Sequence, residues 1–319
     1  MNSAKNNQKN AALLIGFGGP TRPEEVRPFI RSVVEGLKIP EERLQEVEKH
    51  YEAIGGRSPF NEITYRQKEA LERFLKTRSV TIPVGVAFRH STPSFRDAFE
   101  TFKKFGIEKV AGFVLASFRS HISSQGYREK VLQARDLADA GNIQVDFTLP
   151  FESDPLYLEA QAERLHEIWD RFTVSERAST HIIFTAHSIP SSLCERSTRE
   201  NQGQCYGYQF RQAARVIAGL LDLGKNWTCA YQSRSGNPQD AWLDPDVKDV
   251  IRGLDKKKFR TVLLVPVGFL CDNVEIIYDL DIEAKKICDG YGLRYARALT
   301  VMDHPKFIEM MGRQILERL

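Results

Sequence analysis

Three carboxylates, Glu275, Asp279 and Glu283, recur at i, i+4 and i+8 in the stretch Cys271–Glu283. On a helix that spacing sets them along one face. Such a stripe is usually no more than a solvated acidic surface. Like charges at i, i+4 repel by a few tenths of a kcal/mol, however, so a free helix gains nothing from it. A cation running along the stripe would make it useful. Far upstream, Thr185-Ala186-His187-Ser188-Ile189-Pro190 follows the apolar run Ile182-Ile183-Phe184. A lone histidine is more often structural than functional, but this one is expected at the C-terminal end of a strand, where open α/β sheets carry their ligand sites. An imidazole can take up a proton near neutral pH, and with oxygen ligands it suits Fe²⁺, Mg²⁺ or a similar divalent ion. Ser188 does not complete a hydrolytic triad with His187, because sequence neighbours do not face each other. No G-x-S-x-G elbow occurs.

Three more strings carry unusual residue combinations. Gly16-Phe17-Gly18-Gly19-Pro20 ends an apolar run, but Thr21 stands where a dinucleotide loop needs its third glycine, so a tight turn near some ligand is the better reading. His50 to Pro59 joins an aromatic, paired glycines and Arg57 to Ser58-Pro59, which read as N-cap and first helical residue. Tyr231 to Leu243 is a polar loop ending at Trp242 and is expected on the rim of a cleft.

These strings need elements to hold them. Eight strand candidates can be read: Ala11–Phe17, Thr81–Phe88, Val110–Ala116, Ile143–Thr148, His181–Ala186, Thr228–Gln232, Thr261–Val267 and Leu293–Ala298. Several are apolar without alternation, as buried parallel strands are. Helical patterns lie between them, at 43–51, 61–76, 93–105, 127–138, 154–172, 208–221, 244–254, 273–288 and 304–319. The alternation predicts an α/β protein of two similar doubly wound lobes with parallel sheets, helices on both faces and the site in the cleft between lobes. The expected divisions are an N-terminal lobe at 1–150, a connecting helix region at 151–177, a C-terminal lobe at 178–303 and a final helix at 304–319.

Composition excludes several classes. The 319 residues carry 45 basic against 42 acidic side chains, a net +3 too small and dispersed to mark a nucleic-acid surface. No apolar run approaches the ~20 residues of a membrane span, and the polar start lacks a signal-peptide core. Five scattered cysteines without a C-x-x-C pair do not read as a disulfide framework or a zinc site, and a reducing, cytoplasmic setting is expected.

Taken together, the strings GFGGP, HYEAIGGRSP, FTAHSIP, YQSRSGNPQDAWLDPDV and VPVGFLCDNVEIIYDLDIEA resemble the ferrochelatase family, in order and over nearly the whole chain. The look is closest to bacterial members that metallate coproporphyrin III. The resemblance implies a two-lobed chelatase fold and insertion of ferrous iron into a porphyrin in late haem biosynthesis. It implies catalytic roles for His187 and Glu275, and a metal path of His187, Glu275, Asp279 and Glu283. Porphyrin contacts are expected from Phe17, His50, Ile54, Ser58, Tyr127 and Trp242. Iron is a substrate here and no resident cofactor is expected. The last cysteine is Cys288 and Ser123-Ser124 occupy the loop where one ligand would lie, so no [2Fe–2S] cluster is expected. A monomer is expected, with no nucleic-acid partner. The chain departs from family usage at Asn273, where histidine is usual, and at Phe17, where many relatives have tyrosine. It also has Val33-Val34-Glu35 and His50 where coproporphyrin relatives often carry arginines; Arg31, Lys38 and Arg57 are the nearest substitutes. Alternatives are a protoporphyrin IX ferrochelatase and a porphyrin- or haem-binding homologue without catalysis.

Overall fold

The computed structural model describes residues 9–37, 39–200, 204–235 and 239–319. The apolar runs form two four-stranded sheets, every strand parallel to its neighbours. The first contains β1 (Asn10–Gly16), β2 (Val84–Phe88), β3 (Lys109–Val114) and β4 (Gln144–Phe147), in the order β2-β1-β3-β4. The second contains β5 (Thr180–His187), β6 (Trp227–Gln232), β7 (Thr261–Val265) and β8 (Arg294–Arg297), in the order β6-β5-β7-β8. The two lobes thus share one strand order. β1 and β5 sit inside their sheets and are buried along almost their full length, which is why their runs do not alternate.

One apolar core runs through both lobes. Leu14 of β1, Phe113 of β3, Phe184 of β5 and Leu263 of β7 belong to it, with Tyr157, Leu165, Phe307 and Met311 from two helices. Those helices are Pro155–Trp169, capped by Asp154, and the final helix Pro305–Leu316, which lies against Pro155–Trp169 and against Phe60–Thr77 of the first lobe. The final helix therefore returns to the N-terminal sheet, where Arg318 Nε donates to Phe147 O at 3.2 Å.

Two helices absent from the sequence reading frame the site. Pro23–Val33 contains Pro28 in its interior, and that proline with Pro20 and Pro23 masks the helical pattern. Ser191–Glu200 follows the His187 loop directly and is strongly polar. The expected single helix 273–288 is corrected. Only Val274–Ile276 is α-helical at first; Ile277–Ala284 is wound as a π-helix, and α geometry resumes at Lys285–Gly290. The two windings share the same apolar and acidic spacing, so no sequence pattern separates them. All five cysteines carry free thiols. Among the described residues no helix is long and apolar enough to cross a membrane.

The turn after β7 passes directly over the end of β5. Gly268 N donates to Thr185 O at 3.0 Å, and a Cβ built on Gly268 would stand 2.6 Å from Ala186 Cα. Only glycine permits that approach. Gly268→Ala is expected to lower stability by about 3 kcal/mol, read as a lower urea midpoint. A midpoint within error of wild type contradicts the packing.

Candidate active site

His187 is the last residue of β5, and Glu275 opens the helical stretch that follows β7, the neighbouring strand. Parallel pairing thus brings together residues 88 positions apart. His187 Nε2 lies 3.2 Å from Glu275 Oε1. His187 Nδ1 hydrogen-bonds the Ser188 carbonyl. A carbonyl only accepts, so Nδ1 carries a proton and Nε2 is the nitrogen that faces the carboxylate.

Besides His187, the surroundings fix Glu275 at two points. Gln232, at the end of β6, donates from Nε2 to the Glu275 backbone carbonyl at 2.8 Å. Asn273 Nδ2 donates to Glu275 Oε2 at 3.2 Å, while Asn273 Oδ1 caps the helix by accepting from Ile276 N at 3.1 Å. Asn273 therefore does the positioning of a helix cap and an acceptor's partner without any titrating group. The amide oxygen of Gln232 is buried without a partner among the described residues. Ser188 Oγ donates to Leu243 O at 3.0 Å and takes no part in the pair.

Burial alone would lower the His187 pKa, but Glu275 and the Ser188 carbonyl outweigh it and raise it to about 9. Burial pushes Glu275 up, but the imidazolium and Asn273 win and hold it below the usual carboxylate range. Both shifts point the same way. At neutral pH the pair is an imidazolium–carboxylate holding one proton.

The π winding changes where the other carboxylates point. In an α-helix each residue turns by 100°, so Asp279 and Glu283 would drift roughly 40° and 80° from Glu275. With i→i+5 bonding the turn is closer to ~82° per residue, and from Ile277 onward all three align within roughly 30°. Burial, followed by the neighbouring carboxylates, raises Asp279 to about 7, although its hydrogen bond from Ser233 Oγ opposes this. Glu283 ends the line 3.2 Å from Lys248 Nζ. Burial works against the Lys248 charge, yet Glu283 raises its pKa overall. Each acid thus has its own partner. Among the described residues no group of three or more His, Cys, Asp or Glu side chains closes into a metal cage.

The first lobe roofs this line. Helices Pro23–Val33 and Glu41–Ala53 pack Val26, Phe29, Tyr51 and Ile54 around Val274, next to Glu275. Arg43 Nη2 donates to Arg234 O at 2.9 Å, tying the same helix to the opposite loop. Phe17, just past β1, is 38% exposed; its ring lies 6.0 Å from Phe29 and 4.7 Å from His90. Burial and Arg89 lower His90 to about 4, so it is neutral at physiological pH. Phe17 thus offers an apolar face beside the roof, within one packed chain of side chains from Glu275.

The remaining expected contacts divide. Ile54 lies in the roof. His50 stacks face to face on Tyr278 of the π-helix, 3.8 Å between centroids, and bridges the lobes. Trp242 pairs with Pro190, three residues past His187. Tyr127 is buried in the first lobe's own core, with the Arg89 guanidinium over its ring and its pKa raised by burial. Ser58 is buried; its hydroxyl accepts from Phe60 N at 3.3 Å and its Cβ sits where a side chain on Gly19 would go. It supports the turn, but the expected N-cap shifts by one residue: the helix Phe60–Thr77 has Pro59 at its N-cap and no side-chain cap. Lys38 lies outside the described residues. Sequence reasoning missed Gln232, Ser233 and Lys248, which look like ordinary loop and helix polar residues until the parallel pairing aligns them.

The sequence profile of the family described as Ferrochelatase matches residues 9–319. A ferrochelatase of Rhodopirellula baltica is 33% identical over 96% of this chain and 85% of its own length. A coproporphyrin III ferrochelatase of Propionibacterium freudenreichii is 36% identical over 97% of this chain and 87% of its own. One from Oceanobacillus iheyensis is 31% identical over 98% and 97%. Among solved structures, the sirohydrochlorin chelatase SirB of Bacillus subtilis subspecies spizizenii, in complex with cobalt, aligns with a TM-score of 0.55 at 14% identity, covering 97% of this chain and 95% of its own. That likeness is one of fold.

The ion pair predicts a pH dependence of stability. His187 has its pKa raised in the folded state from an ordinary value of about 6.5, so the pair contributes fully below pH 6.5 and loses its contribution as pH rises through about 9. Urea denaturation from pH 6 to 10 is expected to show wild type losing on the order of 2 kcal/mol more than Glu275→Gln across that window. Equal losses contradict the pair.

Proposed function

The chain belongs to the ferrochelatase family and is an enzyme that inserts iron into a porphyrin, and from that premise we propose coproporphyrin III as its porphyrin and His187 with Glu275 as its catalytic pair. The observation that carries the assignment of the pair is the contact of His187 Nε2 with Glu275 Oε1 at the strand ends, beneath the first-lobe roof. Coproporphyrin III is supported by the relatives of that name, similar over nearly their whole lengths. It is also supported by Arg31, exposed in the last turn of helix Pro23–Val33, and Arg57, exposed in the loop after the paired glycines, whose guanidinium groups can pair with carboxylates of a four-propionate ring.

Metal insertion exchanges one divalent ion for two pyrrole protons, so the site must take up protons while it receives positive charge. The resting pair already holds one proton on His187. A dication approaching Glu275 competes for the carboxylate and removes the attraction that keeps the imidazole charged. His187 then releases its Nε2 proton along the acid line to solvent, and Nε2 accepts the two pyrrole protons in turn, passing the first on by the same route before it takes the second. Asp279, with a pKa of about 7, takes up and releases protons at working pH. Glu283, held by Lys248, ends the path toward solvent. Phe17 and Ile54 supply apolar surface for the ring. The reading includes a cytoplasmic monomer without a resident cofactor.

A second reading, protoporphyrin IX, is favoured by Phe17 and by Val33, Val34 and Glu35, which offer no positive charge to extra propionates. Anaerobic Fe²⁺ with each porphyrin, followed by the Soret band, separates them. Coproporphyrin III is expected to give the higher kcat/KM, and His187→Ala to lower kcat by about 10²–10⁴-fold. Preference for protoporphyrin IX overturns the substrate, and wild-type rates in His187→Ala overturn the role of the histidine.

A further inference from the structure

Opposite the acid line, a single guanidinium uses every donor it has. Arg297, on β8, donates from Nε to Asp281 Oδ1 at 2.8 Å and from Nη2 to Asp281 Oδ2 at 2.9 Å. The same Nη2 reaches Asp272 Oδ2 at 3.1 Å; Nη1 reaches Asp272 Oδ1 at 3.4 Å and Ala298 O at 3.2 Å. All five N–H groups of an arginine are thereby directed at oxygens. The remaining oxygen capacity is met from the same edge: Tyr295 OH donates to Asp281 Oδ1 at 2.8 Å, and Thr300 Oγ1 to Asp272 Oδ1 at 3.0 Å. The Arg297 and Asp272 side chains are each only 11% exposed.

The two carboxylates gripped are not arbitrary. Asp272 immediately precedes the Asn273 cap, and Asp281 lies inside the π-helix, so the grip brackets Glu275 and Asp279. The winding decides whether Asp281 can be reached. With π geometry from Ile277 it lies roughly 170° from Glu275, squarely opposite the acid line. With continuous α geometry it would lie roughly 240° away, turned from Arg297 by some 70°. Holding Asp281 and aligning the three acids are one requirement. We propose that Arg297 is a positioning residue for the metal-insertion site: by joining Asp272 to Asp281 it selects the π winding that lines up Glu275, Asp279 and Glu283. This rests on the reading of those three residues as the site's carboxylates.

A lysine keeps the charge but presents it as a point, without the planar fork that two carboxylates share here. Arg297→Lys and the near-isosteric Asp281→Asn are therefore the informative variants, each as the full chain with a cooperative thermal transition. Amide hydrogen exchange is read over residues 277–284, and iron insertion and porphyrin binding are read separately. Exchange in that segment is expected to rise at least tenfold with β5 unchanged. kcat is expected to fall at least thirtyfold and the KM for Fe²⁺ to rise, while the coproporphyrin Kd, from fluorescence quenching, moves less than threefold. Wild-type exchange over 277–284 overturns the proposal, and so does a loss of porphyrin affinity equal to the loss of turnover. If Arg297→Lys does not fold, Asp281→Asn decides. Exchange needs no substrate, so it judges the clamp independently of whether the chain turns over either porphyrin.

Discussion

A half-buried imidazole and a half-buried carboxylate, 3.2 Å apart, impose the conditions that the rest of the molecule meets. Neither charge is tolerable there alone, since an unpaired buried ion is costly and would neutralise instead. Together they keep one proton and two opposite charges in a place that a metal dication can disturb. The fold supplies the closeness cheaply: β5 and β7 are parallel neighbours, so whatever follows each strand emerges at the same edge. Gly268 lets the turn after β7 cross the end of β5 without a gap, and Gln232 from β6 holds the Glu275 backbone from the other side.

The acid line is a second consequence of local geometry. A π-helix is a rare winding, tolerated where surrounding contacts outweigh its poorer hydrogen bonding. Here the contacts are an ion-pair network on one face and, on the other, carboxylates individually held by Ser233 and Lys248. Across the cleft, the first lobe contributes little charge to the line and mainly apolar cover. Its Tyr51 phenol stays protonated because burial and the Glu275 charge both raise its pKa. The site thus sets an apolar, aromatic roof over a line of acids.

Much of this was readable in the residues. Unalternating runs such as Ile182-Ile183-Phe184 mark buried parallel strands, and the run places His187 at the C-terminal end of one. The carboxylate spacing from Glu275 to Glu283 identified the line. What the residues did not disclose is physical in origin. α and π windings bury the same side chains and share the same hydrophobic pattern, so Asp281 looked like one more acid in the run. Arg297 sits on a short edge strand, and its partners are 16 and 25 residues away, beyond any local rule. Ser58 and Tyr127 are expected as porphyrin contacts from the family resemblance, and both are buried. Their burial against Gly19 and in the first lobe's core shows that packing uses the same residue types.

His187 and Glu275 share a proton at neutral pH and hold each other in those charge states. The imidazole ¹³C and ¹⁵N chemical shifts of His187, followed from pH 5 to 10 in wild type and Glu275→Gln, test it most directly. The wild-type ring is expected to titrate near pH 9 with its Nδ1 proton retained, and the variant ring well below that. A wild-type midpoint near 6.5 that Glu275→Gln leaves unmoved would contradict the account.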